Sequence, residues 1–181
     1  MNDYVALLRG INVGGHRVKM DRLRALFREL GHEDVWTLLA SGNVGFSSAT
    51  RSRDALAAGI ETHLLEALGF EVPTFLRTPE ELSRVLEGGL PVPRGWDPDA
   101  ASWYVIFLDE PPPAEVRAAL AELESETDRF GVEGTEIHWR TRGKLSESPL
   151  FGPGIDKATK GVRTTARNVN TVRRLVARFA S

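Results

Sequence analysis

There is no cysteine among the 181 residues of the chain, which excludes disulfides, thiolate metal sites and cysteine nucleophiles. No apolar run approaches the roughly 20 residues of a membrane span. No basic-then-apolar leader precedes the strand pattern that starts at Tyr4, so a cytoplasmic protein with no membrane partner is expected. Histidine is scarce, and His16, His32, His63 and His138 stand at no metal-ligand spacing; neither a metal nor a cofactor is expected. Acidic residues nearly vanish toward the end. From Arg140 onward only Glu147 and Asp156 oppose ten Lys and Arg residues, so that segment carries +8 and the rest −10 of the net −2. Such a split points to an anionic partner for the tail or to two parts packing on each other. A solvated basic helix face is the plainer account of Arg173, Arg174 and Arg178.

With 41% apolar and 27% charged residues, the composition is that of a globular protein, and the length suits one large domain or two small ones. Residues 4–9 predict a buried strand. Leu23, Leu26, Phe27 and Leu30 recur at helical spacing, with Asp21 as the expected N-cap and Gly31 as the stop. Strands are expected at 35–40, 44–47 and 72–77, with a turn at 41–43 and a helix through Leu56, Ile60, Leu64 and Leu68 closed by Gly69. Thr78-Pro79-Glu80-Glu81 reads as a capping box with proline at the first helical position. The order β-α-β-β-α-β is the ferredoxin-like pattern. It sets the loop after the first strand and the turn at 41–43 on one rim of the sheet.

Residues 88–100 are dense in Gly and Pro and read as a linker. Beyond them Trp103–Leu108 predicts a strand, Val116, Leu120 and Leu123 a helix, and residues 130–140 a hairpin around Gly134. The second half therefore opens as the first does, although no residue-level repeat stands out. Trp103 and Trp139 occupy core-type strand positions, Trp36 is expected to do the same, Trp96 is the tryptophan expected to be exposed, and Phe46 is the lone candidate for an aromatic on an open sheet face. A helix cap is the better account of Ser148, and the last helix is expected from about Thr171 with Asn170 as its cap. The expected fold class is α+β: two ferredoxin-like subdomains with antiparallel sheets and helices on one face, plus a C-terminal helix. The expected division is 1–88, a linker at 89–101, and 102–181 with the basic tail.

The segment RGINVGGHRVKM, residues 9–20, joins the first strand to the first helix. Gly10 to Gly15 satisfies the glycine spacing of a phosphate loop, but His16 and Arg17 stand where lysine and a hydroxyl residue are needed, and the dinucleotide glycine spacing fails too. Nucleotide hydrolysis by that machinery is excluded. Binding of phosphate by the glycine backbone, with Arg9, His16, Arg17 or Lys19 supplying charge, is not. The plain alternative is that Gly10, Gly14 and Gly15 only permit a bending loop.

The stretches ALLRGINVGGHRVKM, LASGNVGF, HWRTRGKLSES and TTARN together strongly resemble a widespread bacterial family of unknown function, numbered 1697, across essentially the whole chain. The resemblance implies a pair of ferredoxin-like subdomains and no established activity. It implies signatures at Arg9, Gly10, Asn12, Gly14, Gly15, Lys19 and Met20, then Ser41, Gly42 and Asn43, then Ser146 and Glu147, then Thr165, Arg167 and Asn168. Gly45 stands where a larger residue is usual, and the alanine in TTARN is an insertion relative to the family. The candidate ligand-binding set is Arg9, Asn12, Gly14, Gly15, His16, Lys19, Ser41, Asn43, Glu147, Thr165, Arg167 and Asn168, expected to converge on one site. The expected partner is a phosphate-bearing small molecule or nucleic acid. Alternatives are an enzyme of unknown reaction, with His16, Ser41, Asn43, Glu147 and Arg167 converging on a cleft between the subdomains, and a structural or oligomer-forming protein; a hydrolytic role would need His16 or His138 beside Ser146 or Ser41.

Overall fold

A computed structural model describes residues 1–180. The chain groups into two compact units, Met1–Ser83 together with the chain from Arg174 on, and Arg84–Arg173. The elements run β1 (Asn2–Leu8), α1 (Met20–Glu29), β2 (Glu33–Leu38), β3 (Asn43–Ser48), α2 (Arg53–Leu68), β4 (Thr74–Arg77) and α3 (Pro79–Glu87), then β5 (Ala101–Leu108), α4 (Ala114–Leu123), β6 (Asp128–Glu133) and β7 (Glu136–Arg142). A 3-10 turn (Leu145–Glu147), α5 (Pro153–Ala158), β8 (Thr164–Asn168) and α6 (Val169–Phe179) complete them. This is an α+β fold with two four-stranded antiparallel sheets, ordered β2-β3-β1-β4 and β6-β7-β5-β8.

In the first unit, alternate residues Tyr4, Ala6, Leu8, Val44, Phe46 and Leu76 face α1 and α2, where they meet Leu23, Phe27, Ile60 and Leu64. The intervening residues Val5, Leu7, Phe75 and Arg77 are buried as well. A strand covered on both faces shows no polar alternation, which is why β1 reads as apolar throughout. Phe46 is therefore not an exposed sheet aromatic: it is 1% exposed and packs edge-on against Phe27 at 5.2 Å. On the opposite face Trp36 lies over Gly45, whose absent Cβ would sit 2.1 Å from the indole. Phe179, near the end of α6, packs edge-on on that indole at 5.2 Å.

Several local expectations hold and others are corrected. The capping box is present, with Thr78 N–H donating to Glu81 Oε2 at 2.9 Å and Glu81 N–H to Thr78 Oγ1 at 3.3 Å. Gly69 closes α2 at φ +80°. Asp21 is not a cap: α1 begins at Met20, two residues earlier than that role requires, with Lys19 at the N-cap position, and the Asp21 carboxylate pairs with Arg24. α6 likewise begins at Val169, and Asn168 rather than Asn170 supplies the capping oxygen, accepting from Asn170 N–H at 2.8 Å. Ser148 does not start a helix. Its hydroxyl donates to the fully buried Asp128 at 3.0 Å, beside the indole N–H of Trp139 at 2.8 Å. Trp96 is half-buried rather than exposed.

Strand register makes visible a repeat that residue identity alone hides. Tyr4-Val5-Ala6-Leu7-Leu8 and Tyr104-Val105-Ile106-Phe107-Leu108 hold equivalent places. Val5 pairs with Arg77 and Val105 with Arg167; Leu8 pairs with Thr74 and Leu108 with Thr164. Tyr4 opposes Phe46 and Tyr104 opposes Trp139. Even the bonds recur. Leu8 N–H donates to Gly42 O at 2.8 Å and Leu108 N–H to Thr135 O at 2.9 Å. The Arg77 guanidinium donates to Leu76 O at 2.9 Å and that of Arg167 to Ala166 O at 2.8 Å. Each half of the chain runs β-α-β-β-α-β and then a helix, α3 in one case and α6 in the other.

Candidate functional site

β1 ends at Leu8, which bonds Gly42; the next residue, Arg9, donates its N–H to Pro73 O at 2.9 Å. The chain is thus stitched to both neighbours before the glycine loop opens. A larger residue at Gly42 would be strained at φ +84° and crowded, its Cβ 3.0 Å from Leu8 Cβ and 3.1 Å from Ile11 Cβ.

Asn12 organises the loop. At φ +58°, a conformation asparagine tolerates better than most residues, its Oδ1 accepts from Val18 N–H at 2.8 Å. Its Nδ2 donates to Val18 O at 3.1 Å and to Ala40 O at 2.8 Å. One side chain therefore closes residues 12–18 into an arch and ties that arch to the β2–β3 turn, joining the two segments that topology assigns to one rim. Beneath the turn, fully buried Asn43 donates to Leu38 O at 2.8 Å and to Ser41 Oγ at 3.1 Å. Asn43 shapes the turn from inside.

The arch is shaped to donate. Gly14 and Gly15 sit at φ +58° and +92°, and no hydrogen bond within the described residues takes either N–H. His16, Arg17 and Lys19 are exposed beside them, with no ion pair among the described residues. Arg9 is exposed on the same loop. With Asp21 held by Arg24, no side chain caps the start of α1. The His16 ring stacks on Phe70 with centroids 3.9 Å apart and planes 13° from parallel. Two apolar side chains are exposed on the arch and the turn, Val13 at 59% and Leu39 at 43%, the latter at φ +60°. A bulky residue in the left-handed region carries on the order of 1–3 kcal/mol of strain that its surroundings must hold.

Glu147, Thr165, Arg167 and Asn168 belong to the second unit, where each makes local contacts. Glu147 Oε2 accepts from Lys144 N–H at 3.4 Å. Thr165 is 6% exposed and its hydroxyl accepts from Arg167 at 2.9 Å. Burial lowers the Arg167 guanidinium to about 10. Asn168 caps α6. Neither histidine named for a serine-activating role hydrogen-bonds a serine: His16 lies on Phe70, and buried His138 accepts from Trp103 Nε1–H at 3.2 Å. Among the described residues no group of three or more His, Asp or Glu could hold a metal ion, and no helix is long and apolar enough to cross a membrane.

At the matching rim of the second unit, Asp109 replaces Arg9 and Glu110 replaces Gly10 in register. Asp109 pairs with Arg163 Nε at 3.3 Å, and a cleft of about 410 Å³ is lined by Leu108, Asp109, Glu110, Pro113, Val162 and Arg163. Sequence reasoning missed this cleft and missed Phe70. No motif marks either, and the partner of His16 lies more than fifty residues along the chain.

The fold and the rim define a two-sheet α+β protein with a glycine arch at one sheet end. The chain belongs to the family described as Protein of unknown function (DUF1697), whose model matches residues 1–138. It is similar to the conserved bacterial protein SP0830 from Streptococcus pneumoniae, with 26% identity and a TM-score of 0.75, over 100% of this chain and 99% of that one. Comparison with curated proteins yields no match.

Proposed function

We propose that the rim of the first unit binds a phosphate-bearing anion. The observation that carries this reading is the Asn12-braced arch, which leaves the N–H groups of Gly14 and Gly15 unused among exposed His16, Arg17 and Lys19. Successive backbone N–H groups in a turn form a concavity suited to an oxyanion, and fixed donors pay less ordering entropy than mobile ones. Arg9 and Ser41 flank the arch; Asn43 holds the turn against which it rests. The Asp109–Arg163 rim offers a phosphate two carboxylates and one engaged cation, and is not the anion site.

Titration with inorganic phosphate and pyrophosphate, followed by calorimetry and thermal shift, tests this. Saturation by a hundredfold excess over Kd is expected to add about 2.7 kcal/mol to stability. Asn12→Ala, which frees the arch, is expected to abolish the shift at the same concentration. No stabilisation by either anion would overturn the reading. A second reading, a protein contact at the rim, rests on exposed Val13 and Leu39. It predicts a concentration-dependent oligomer that Val13→Ser dissolves.

A further inference from the structure

The His16 imidazole stacks on Phe70, with ring centroids 3.9 Å apart. Phe70 follows the C-cap glycine of α2 and packs against the first unit's core, so the imidazole rests on an anchored plate. His16 itself is exposed, its side chain makes no hydrogen bond, and its outer face meets no ring among the described residues. The residues immediately before it, Gly14 and Gly15, present the unused N–H groups, and Arg17 follows directly. An open aromatic face one residue from phosphate donors matches a ligand whose flat ring and phosphate are joined by a short linker. The sheet faces offer no competing platform, because β1, β3 and β4 are buried over their length beyond Asp3 and Phe46 is in the core. Base stacking on an aromatic side chain is favourable for every base and needs no hydrogen-bond readout.

We propose that the ligand is a nucleotide, with its base stacked on the outer face of His16. Its phosphate then lies on the N–H groups of Gly14 and Gly15, with Arg17 and Lys19 supplying charge. This rests on the anion reading above, and the stack specifies what that reading leaves general. One plate accommodates one base, so a mononucleotide and the end of a single strand share the required chemistry.

Calorimetry on the full chain with inorganic phosphate, ribose 5-phosphate, adenosine, AMP and a short single-stranded oligonucleotide separates the terms. AMP is expected to bind about fivefold to a hundredfold more tightly than ribose 5-phosphate, the gain of one stacked base. His16→Ala should reduce the ratio of AMP to ribose 5-phosphate affinity to about one, and His16→Trp should restore it. An oligonucleotide that binds more tightly than AMP would support a strand end as the source, and equal affinity would support the mononucleotide. Equal affinity for AMP and ribose 5-phosphate, with phosphate still bound, would overturn the nucleotide inference alone. So would an equal loss for both in His16→Ala. Failure of every phosphate compound, inorganic phosphate included, would overturn the anion reading and the inference with it.

Discussion

The two units share a frame and differ at their rims. In both, a Tyr-Val-x-x-Leu strand lies between a longer central strand and a short edge strand carrying Thr and a buried Arg, in the same register. Where the first unit follows that strand with Arg9-Gly10 and a glycine arch, the second follows it with Asp109-Glu110 and three prolines. His16, Arg17 and Lys19 of one rim face the solvent, whereas Arg163 of the other is engaged by Asp109. Frame positions answer to packing and hydrogen bonding, so they retain volume and register. Rim positions are loops, which can change chemistry without disturbing the sheet. The difference between the units is what favours the arch for the proposed anion site.

The largest expected effect breaks the shared frame. Phe46→Ala and Trp139→Ala empty equivalent positions, and each should cost about 3–5 kcal/mol in denaturant unfolding. Trp139→Phe sharpens the comparison, because the first unit has no counterpart of the Trp139–Asp128 hydrogen bond. Leaving Asp128 without that donor should cost about 1–3 kcal/mol.

A smaller effect concerns how each sheet fits an indole or imidazole against its neighbour strand. In the first unit Trp36 opposes Gly45; in the second, Gly131 opposes His138. Large and small have exchanged strands. Gly45→Ala should cost about 1–3 kcal/mol by overpacking, and Trp36→Val in the same chain should recover most of it in a double-mutant cycle.

His138 also sets a pH dependence. Burial lowers its pKa, against the raising effect of Glu133 and Glu136 and aided by Arg140, and Trp103 Nε1–H occupies the Nδ1 lone pair. Burial lowers His32 as well. A histidine with a depressed folded pKa binds its proton more readily when unfolded. Its contribution is therefore intact above the unfolded value near 6.5 and is lost as pH falls from there toward the folded value. Stability should drop across that window, and His138→Gln, which keeps an acceptor for Trp103, should flatten the drop. An unchanged profile in His138→Gln would contradict the assignment.

The smallest effect belongs to the acidic rim. Arg163→Ala removes an ion pair whose side chains are 49% and 44% exposed. It should change stability by about 0–1 kcal/mol and leave phosphate binding untouched.

Much of the frame was legible because apolar spacing and helix-stop glycines act locally: the strands, α2 with Gly69, and the Thr78–Glu81 box all follow from short-range rules. The rim was legible from topology, since one up-down strand count brings the arch and the 41–43 turn together, as Asn12 and Ala40 show. What stayed hidden depends on tertiary contact. Asp21 and Asn170 look like caps until the helix starts shift by two residues. Ser148 serves a buried aspartate twenty residues earlier in the chain. Gly45 looks like a departure from a strand until Trp36 is seen above it. The repeat emerges from pairing register because identical residues are few and scattered: Tyr4, Val5, Leu8, Thr74 and Arg77 match Tyr104, Val105, Leu108, Thr164 and Arg167, with unlike residues between them.

The most direct test of the account is a phosphate titration of the isotopically labelled full chain, followed by backbone amide NMR. The account predicts saturable shifts concentrated at Gly14, Gly15 and Arg17, with the amides from Asp109 through Ala114 unmoved. Shifts absent from the arch, or centred on the Asp109 rim, would contradict it.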